Sequence, residues 1–461
     1  MGDGNTASWL RVIDALEGLD VKIVAPGHGR CGDRSLIDDQ RAYIAGLRDQ
    51  VAAGIDAGRT VEALQASVKV PDRLSRYVGK MFNDQISKIY AEMVGLDTPH
   101  ELESLGLVEA PATARGPGWQ APKKIVLASS FYTDKPEQIA AFEKVAPGVK
   151  IVAVPDPSRD PAPLLREIVD ADGLVCGSGA VSAIVKGKRL RWVHSISAGV
   201  EAFVGIGTPR TPGVTGLADS GIVLTNGQRI YGPDVADHVF AELLALTRNV
   251  KWSVEGKNSP KPGKTRWDTI HDRPWLEREL RGRTMLIVGV GGIGGQIAQR
   301  AKGFGMRVVG IDPNLDTPRK NVDLLRPPAA LKSLLPKADV LVLSCPLTEQ
   351  TRGLIGAAEI ALLPDDAYLI NVARGRIVDH DALVAALREG QLAGAGMDVT
   401  EPEPLPDASP LWTMNNVVIT PHIAGRSYGR NRRVFLLTRA NIYRFAHGEP
   451  LLNVVDVERG Y

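Results

Sequence analysis

The 461-residue sequence predicts an α/β protein: two units built on parallel sheets follow a mostly helical N-terminal extension. Three observations carry that prediction. From about residue 122 onward short β-rich runs alternate with helical segments, the order of a parallel sheet. A glycine-rich turn in the second half joins a strand directly to a helix. Residues 36 to 95 show apolar spacing of three and four, which belongs to amphipathic helices and not to a sheet.

Length allows about three domains at about 150 residues each. With 55 basic against 53 acidic residues, the charge balance gives no electrostatic case for nucleic acid or another polyanion as partner. Cys31, Cys176 and Cys345 lie far apart and form no CxxC pair, so neither a disulfide framework nor a cysteine-rich zinc site is indicated. Acids are scattered through "MGDGNTASWLRVIDALEGLD", and no stretch approaches the roughly 18 apolar residues of a membrane span. A soluble, cytoplasmic chain without a membrane partner is expected.

In chain order, "SWLRVIDALEG" sets Trp9, Leu10, Val12, Ile13 and Leu16 at helical spacing, and "VKIVAP" follows as a short strand. The next turn, in "IVAPGHGRCGD", presents His28 between glycines, a plausible placement for a zinc ligand. "LIDDQRAYIAGLRDQVAAGI" begins two or three amphipathic helices. "GLVEAPATARGPGWQAP" then loses all period and concentrates Ala, Pro and Gly, so residues 1–105 form the extension and 106–122 a linker. Beyond it, "KKIVLASS", "VKIVAV", "GLVCG", "RWVHSIS" and "GIVLTN" read as strands of a first α/β unit. Residues 233 to 250 carry one long apolar stripe and start with a proline suited to a first helical turn. A second series, "TMLIVGVGGIGG", "RVVGID", "DVLVLSCP", "AYLINVA", "GAGMDV" and "NVVITPH", supplies the other sheet.

Gly289, Gly291 and Gly294 make a GxGxxG between "MLIV" and a helical pattern, with Gly292 and Ile293 inside it. The first glycine permits the tight turn, the second admits a pyrophosphate to the backbone, and the third lets helix and strand pack closely. A structural glycine turn would not require a second strand "MRVVGI" ending in Asp312, about 20 residues on, yet that strand is present. An acid there accepts the ribose hydroxyls and repels a 2′-phosphate, which predicts NAD over NADP.

Farther on, Arg374, Asp398, Glu401, Glu403 and His422 follow the ends of apolar runs, and in an open parallel sheet the carboxyl ends of strands face the ligand crevice. A guanidinium holds a carboxylate bidentately, and an imidazole beside a carboxylate donates a proton near neutral pH. The set suits reduction of a 2-keto acid. Taken singly, Arg374 reads equally well as a helix cap, His422 as a loop histidine and Glu403 as a solvated acid.

From about residue 122 to the C-terminus the sequence resembles the NAD-dependent D-isomer-specific 2-hydroxyacid dehydrogenases, through "VGVGGIGG", "CPLTEQTRGLIG", "LINVARGRIVDHDAL", "GAGMDVTEPEPLP" and "ITPHIAG" in order. The resemblance implies that Arg374 binds substrate, His422 is the acid/base and Glu403 is its partner. Glu403 is chosen over Glu401 because the catalytic glutamate of similar sequences stands five positions after the "DV" aspartate, directly before a proline. The resemblance further implies Asp398 beside the nicotinamide carboxamide, Pro346 and Val372 near the cofactor, and Ala198, Gly199 and Val200 of "SISAGVEAF" holding the substrate carboxylate. There are three departures: Glu201 stands where Asp is common, "VADH" replaces "VAEH" at 235–238, and Gly292 replaces a frequent arginine. The last removes a phosphate-facing side chain and is expected to weaken cofactor affinity.

The architecture implied is two Rossmann-like domains. A substrate (flavodoxin-like) domain, residues 123–226 and 427–461, is split around a nucleotide-binding domain, 227–426, with the site in a cleft closed by hinge motion. The resemblance also implies a homodimer through the nucleotide domain, and "NVKWSVEGKNSPKPGKTRWDTIHDRPW" resembles the arm that crosses to the partner. The rival reading within the same resemblance is an NADH-sensing, corepressor-type binding protein with little catalysis.

Residues 1 to about 95 resemble the C-terminal end of a metallo-β-lactamase-fold hydrolase, in which the histidine of "PGHG" is a zinc ligand, so His28 matches a ligand position. Such a site needs three or four protein ligands, chiefly from an HxHxDH motif, and the sequence has none. His100, His194, His238, His271, His380, His422 and His447 lack that spacing. A remnant without metal or hydrolytic activity is expected, and it must pack on the rest, bind another chain or remain poorly ordered.

Overall fold

The computed structural model describes residues 6–17, 33–57, 59, 61–78, 82–94, 102, 105–110, 119–205, 217, 220–258, 261–271 and 277–461. The strand expected at "VKIVAP", together with His28 and Cys31, lies outside the described residues. The extension supplies helices α1 (Thr6–Glu17), α2 (Ser35–Asp56), α3 (Val61–Ser67) and α4 (Phe82–Val94). Their buried faces are Ile44, Leu47, Val51, Leu64, Ile86 and Ile89, the apolar stripe that the period announced. Among the described residues, no helix is long and apolar enough to cross a membrane.

The first sheet has the order β2-β1-β3-β4-β5 and every pairing is parallel: β1 (Lys124–Ala128), β2 (Lys150–Val154), β3 (Gly173–Cys176), β4 (Trp192–Ser195) and β5 (Val223–Thr225). β1, β3 and β4 are buried along their whole length, because a parallel sheet is covered on both faces. One face packs on α6 (Ala162–Glu167) and its neighbours around Leu164, Ile168 and Ala183. The other packs on α5 (Pro136–Val145), on the helices of the extension, and on the C-terminal helix α13 (Tyr428–His447).

The second sheet has the order β12-β11-β10-β9-β6-β7-β8, again parallel throughout: β6 (Thr284–Val288), β7 (Arg307–Ile311), β8 (Leu324–Arg326), β9 (Val340–Leu343), β10 (Tyr368–Asn371), β11 (Gly394–Met397) and β12 (Val417–Ile419). The chain steps from β6 outward to β8 and then returns to β9 on the other side, so the topological switch point lies between β6 and β9. α8 (Gly232–Thr247), α11 (Gly292–Gly303) and α12 (His380–Glu389) cover the faces. Asp379 caps α12 by accepting from Ala382 N, and Ser427 caps α13 by accepting from Arg430 N.

Two expectations needed adjustment. The helix expected over 233–250 stops at Thr247; Asn249 takes a left-handed φ of 54°, and a separate helix α9 (Val250–Asn258) starts beyond it, followed by α10 (Arg266–His271). The strand β8 was not anticipated, because three residues that end at a double proline carry too little alternation to register.

Candidate active site at the carboxyl edge of the second sheet

Because the strands are parallel, residues that follow β6, β9, β10, β11 and β12 emerge on one edge. After β6 the chain turns at Gly289, whose φ of 90° suits glycine and whose Cβ would stand 2.6 Å from Cys345 Cα. A Cβ on Gly294 would lie 2.1 Å from Gly289 O, so the third glycine is required by packing. At Gly291 nothing lies within 4 Å of that direction, and this open side of the turn, at the start of α11, fits the phosphates of a dinucleotide. Ile293 packs against the core beneath. At Gly292, Arg229 lies across the position, with Cγ, Cα and Cβ 2.6, 2.7 and 2.9 Å from where a Cβ would be.

Asp312 follows β7 and is buried; its Oδ2 accepts from Val290 N at 2.9 Å and its Oδ1 from Asn314 N at 2.9 Å, which binds the glycine turn to the end of β7. Across the switch point, Ser344 donates to Gly289 O at 2.7 Å. The carbonyl of Pro346 is engaged by Thr351 at 2.7 Å, and Val372 is buried with its N–H on Leu343 O at 3.3 Å.

β10 ends at Asn371, whose buried side chain bonds both Ala373 N and Arg374 O and thereby shapes the turn that projects Arg374. Arg374 reaches the loop after β4. Its Nε pairs with Glu201 Oε1 at 2.8 Å, its Nη1 donates to Ala373 O at 2.6 Å, and a Cβ on Gly199 would stand 1.8 Å from Nη2. Only glycine admits the guanidinium so close to that backbone. Ala198 is fixed through its carbonyl by Asn226 Nδ2 at 2.7 Å, and Val200 leads into the short helix α7 (Glu201–Val204), which carries Glu201.

His422 lies beyond β12 with φ 52°, its N–H directed to Asp398 O at 2.8 Å. Its Nδ1 and Glu403 Oε1 are hydrogen-bonded at 2.7 Å, which engages one ring nitrogen and leaves Nε2 as the other. Glu401 instead pairs with Arg376 at 3.0 Å. The Asp398 carboxylate is buried and spent on the same loop: it accepts from Thr420 Oγ1 at 2.7 Å, Ile423 N at 2.8 Å and Ala424 N at 3.0 Å.

Behind that loop lies a group sequence reasoning missed. His238 Nε2 is 2.8 Å from Thr420 Oγ1 and 3.5 Å from Glu242, one helical turn along α8, and Thr420 also lies 3.1 Å from Glu242. The hydrogen bond to Glu242 pushes the His238 pKa up against the effect of burial, and burial pushes that of Glu242 up. "VADH" and the threonine before "PH" were the available signals, but neither names a partner. Among the described residues, no three His, Cys, Asp or Glu side chains come together to hold a metal.

The family model "D-isomer specific 2-hydroxyacid dehydrogenase, NAD binding domain" matches residues 240–424. A glyoxylate reductase of Korarchaeum cryptofilum is 38% identical over 240 residues, 52% of this chain and 70% of that protein. The chain belongs to the D-isomer specific 2-hydroxyacid dehydrogenase family. A solved member from Aeromonas salmonicida superposes with a TM-score of 0.58 at 30% identity, covering 73% of this chain and 99% of that one. An NADPH-dependent glyoxylate/hydroxypyruvate reductase from Sinorhizobium meliloti, in complex with NADP and sulfate, does so with 0.59 at 27% identity, covering 74% and 100%. As a D-isomer specific 2-hydroxyacid dehydrogenase, the protein is an oxidoreductase of 2-keto and 2-hydroxy acids that uses a nicotinamide cofactor.

Proposed function

We propose that the protein reduces a small 2-keto acid of the glyoxylate or hydroxypyruvate class to its D-2-hydroxy acid, with Arg374, Glu403 and His422 as the catalytic set. The observation that carries this reading is the 2.7 Å contact between His422 Nδ1 and Glu403 on the same sheet edge as the glycine turn. When bound, the nicotinamide supplies a hydride to the carbonyl carbon. Glu403 fixes the imidazole through Nδ1, and Nε2 delivers the proton to the carbonyl oxygen. Arg374 Nη2 and the Ala198–Gly199–Val200 backbone orient the substrate carboxylate, while Glu201 and Ala373 O hold the guanidinium in place.

The domain assignment is residues 123–226 with 427–461 for substrate and 227–426 for nucleotide, supported by the return of α13 to the first sheet. Homodimerisation is supported by the arm helices α9 and α10, which expose Val250, Val254 and Trp267 at 49, 52 and 77%. A cytoplasmic setting and a hydrolase ancestry of residues 1–105 complete the reading; the latter rests on "PGHG" and the helical order around it.

The test follows the absorbance of the reduced nicotinamide against a panel of 2-keto acids, for wild type and His422→Ala. Turnover that falls by about two to four orders of magnitude in the variant, with dinucleotide binding kept, is expected. Dinucleotide binding without turnover on any acid would sink the proposal and favour the binding-protein alternative.

A further inference from the structure

The two halves of the site stand on different sheets: Ala198, Gly199 and Val200 follow β4 of the first, and His422 follows β12 of the second. A keto acid held by one loop and protonated from the other reacts only if the loops keep their spacing, because a misplacement of about 1 Å can cost about a hundredfold in rate. Tyr231, at the end of the crossing from β5 to α8, touches both. Its half-buried ring packs against the core that joins the first sheet to α13 and also against the core of the second sheet. Its hydroxyl donates to Ile196 O, just ahead of Ala198. A Cβ on Gly227 would stand 2.9 Å from that carbonyl oxygen and 3.0 Å from Tyr231 Cε2. One on Gly425, shortly past His422, would stand 3.0 Å from Tyr231 Cδ1.

The crossing segment holds the carboxylate loop by successive carbonyls. Tyr231 takes Ile196 O, Gly227 N donates to Ser197 O at 2.9 Å, and Asn226 Nδ2 donates to Ala198 O at 2.7 Å. Through the same ring Tyr231 meets Gly425, so one side chain ties the loop after β4 to the loop after β12. The tyrosine is itself anchored. Arg433, buried on α13, donates to Ile230 O at 2.7 Å and pairs with Asp234 at 2.6 Å, which fixes the backbone on either side of Tyr231. A hydroxyl carried on an anchored backbone sets a distance between the loops it joins.

We propose that Tyr231 is a positioning residue for the reduction: its hydroxyl and ring keep the loop that receives the substrate carboxylate in register with the loop that carries His422. The inference rests on the keto-acid reading of the site. Tyr231 takes no part in hydride or proton transfer and acts through Ile196 and Gly425.

Tyr231→Phe keeps the ring and removes the bond to Ile196 O, whereas Gly425→Ala crowds the ring from the other loop. Wild type, both variants and the double variant are assayed for turnover and, by calorimetry, for binding of NADH and NADPH. Oxamate, an unreactive isostere of a 2-keto acid, is then titrated into the complex with the tighter dinucleotide, and thermal unfolding confirms that each variant is folded. Tyr231→Phe is expected to weaken oxamate about five- to tenfold, the worth of one hydrogen bond, and to lower kcat/KM at least as much, with the dinucleotide Kd within about twofold of wild type. A merely structural tyrosine would not separate the two ligands. Gly425→Ala is expected to weaken oxamate on its own but by less than about twofold further in the Tyr231→Phe background, because both changes act on one link. Losses that multiply, unchanged oxamate binding in Tyr231→Phe, or a parallel loss of dinucleotide affinity would each overturn the inference. A wild type that neither turns over a keto acid nor binds oxamate marks failure of the keto-acid reading, seen without any variant, and the inference falls with it.

Discussion

Arg374 concentrates the site's electrostatics in one side chain, because it must satisfy Glu201 and Ala373 O and still offer Nη2 beside Gly199. A planar guanidinium does all three at once; an ammonium is a point charge that serves one or two. Arg374→Lys is therefore expected to raise KM for the keto acid about tenfold or more while leaving the dinucleotide Kd unchanged, as read from steady-state kinetics beside a binding titration. An unchanged KM would remove Arg374 from the carboxylate site. Glu403→Gln keeps an acceptor for His422 Nδ1 but removes the charge, so kcat should fall by about tenfold, less than for His422→Ala. The residue types of this site were legible because the chemistry of a 2-keto acid demands a cation, an acid and an imidazole. Their supports were not. Glu201 and Thr420 acquire their roles from contacts between segments far apart in the chain, and no local spacing encodes such a contact.

The loop after β12 holds its shape through Asp398, which receives Thr420 Oγ1, Ile423 N and Ala424 N in a buried setting. Asp398→Ala leaves two backbone donors, Ile423 N and Ala424 N, unsatisfied, while Thr420 Oγ1 keeps Glu242 as acceptor at 3.1 Å; each lost partner costs about 1–3 kcal/mol before water enters. The variant should lose at least about 2 kcal/mol in urea denaturation, and amide exchange over residues 417–426 should quicken with it. Stability lost without local exchange would show that Asp398 acts elsewhere. In the first sheet, β4 buries His194 against Thr225, and burial pushes its pKa down to about 3. The unfolded chain takes up a proton there near pH 6.5 while the folded chain does not, so stability is full above that pH and falls as pH drops toward about 3. His194→Gln should flatten the slope of stability against pH between 4 and 6, about where the two states differ in protons bound; a slope identical to wild type would show that His194 protonates in the folded state. Strands as buried as β4 were readable as apolar runs. β8 was not, because its three half-exposed residues owe their pairing to β7 and not to their own pattern.

The relation of the extension to the rest of the molecule is where the sequence left three outcomes open, and the described helices take the first: they pack. Ile44, Leu47, Leu64, Ile86 and Ile89 share one apolar core with Ile125 and Leu127 of β1 and with Val434, Leu437 and Phe445 of α13. Tyr90 meets Tyr443 with ring centroids 6.4 Å apart, and Lys144 donates to Met93 O at 3.4 Å. Between extension and sheet, the linker adds backbone bonds from Ala110 N to Leu451 O and from Asn453 N to Val108 O, with an ion pair from Arg444 to Glu109. A core that is continuous across two segments should melt as one, because neither side can expose its face without exposing the other. Ile89→Ala, at a fully buried position, is expected to cost about 2–5 kcal/mol and to lower a single unfolding transition. Hydrogen exchange separates the alternatives. Faster exchange over residues 434–446 as well as 82–94 marks one cooperative body, whereas faster exchange confined to 82–94 would make the extension an appended unit. Because Ile89 lies in the core of the first sheet and not at the carboxyl edge of the second, kcat should stay within about twofold of wild type under conditions where the variant is folded. Stability would then change with the extension while the chemistry does not, which is the behaviour of a scaffold.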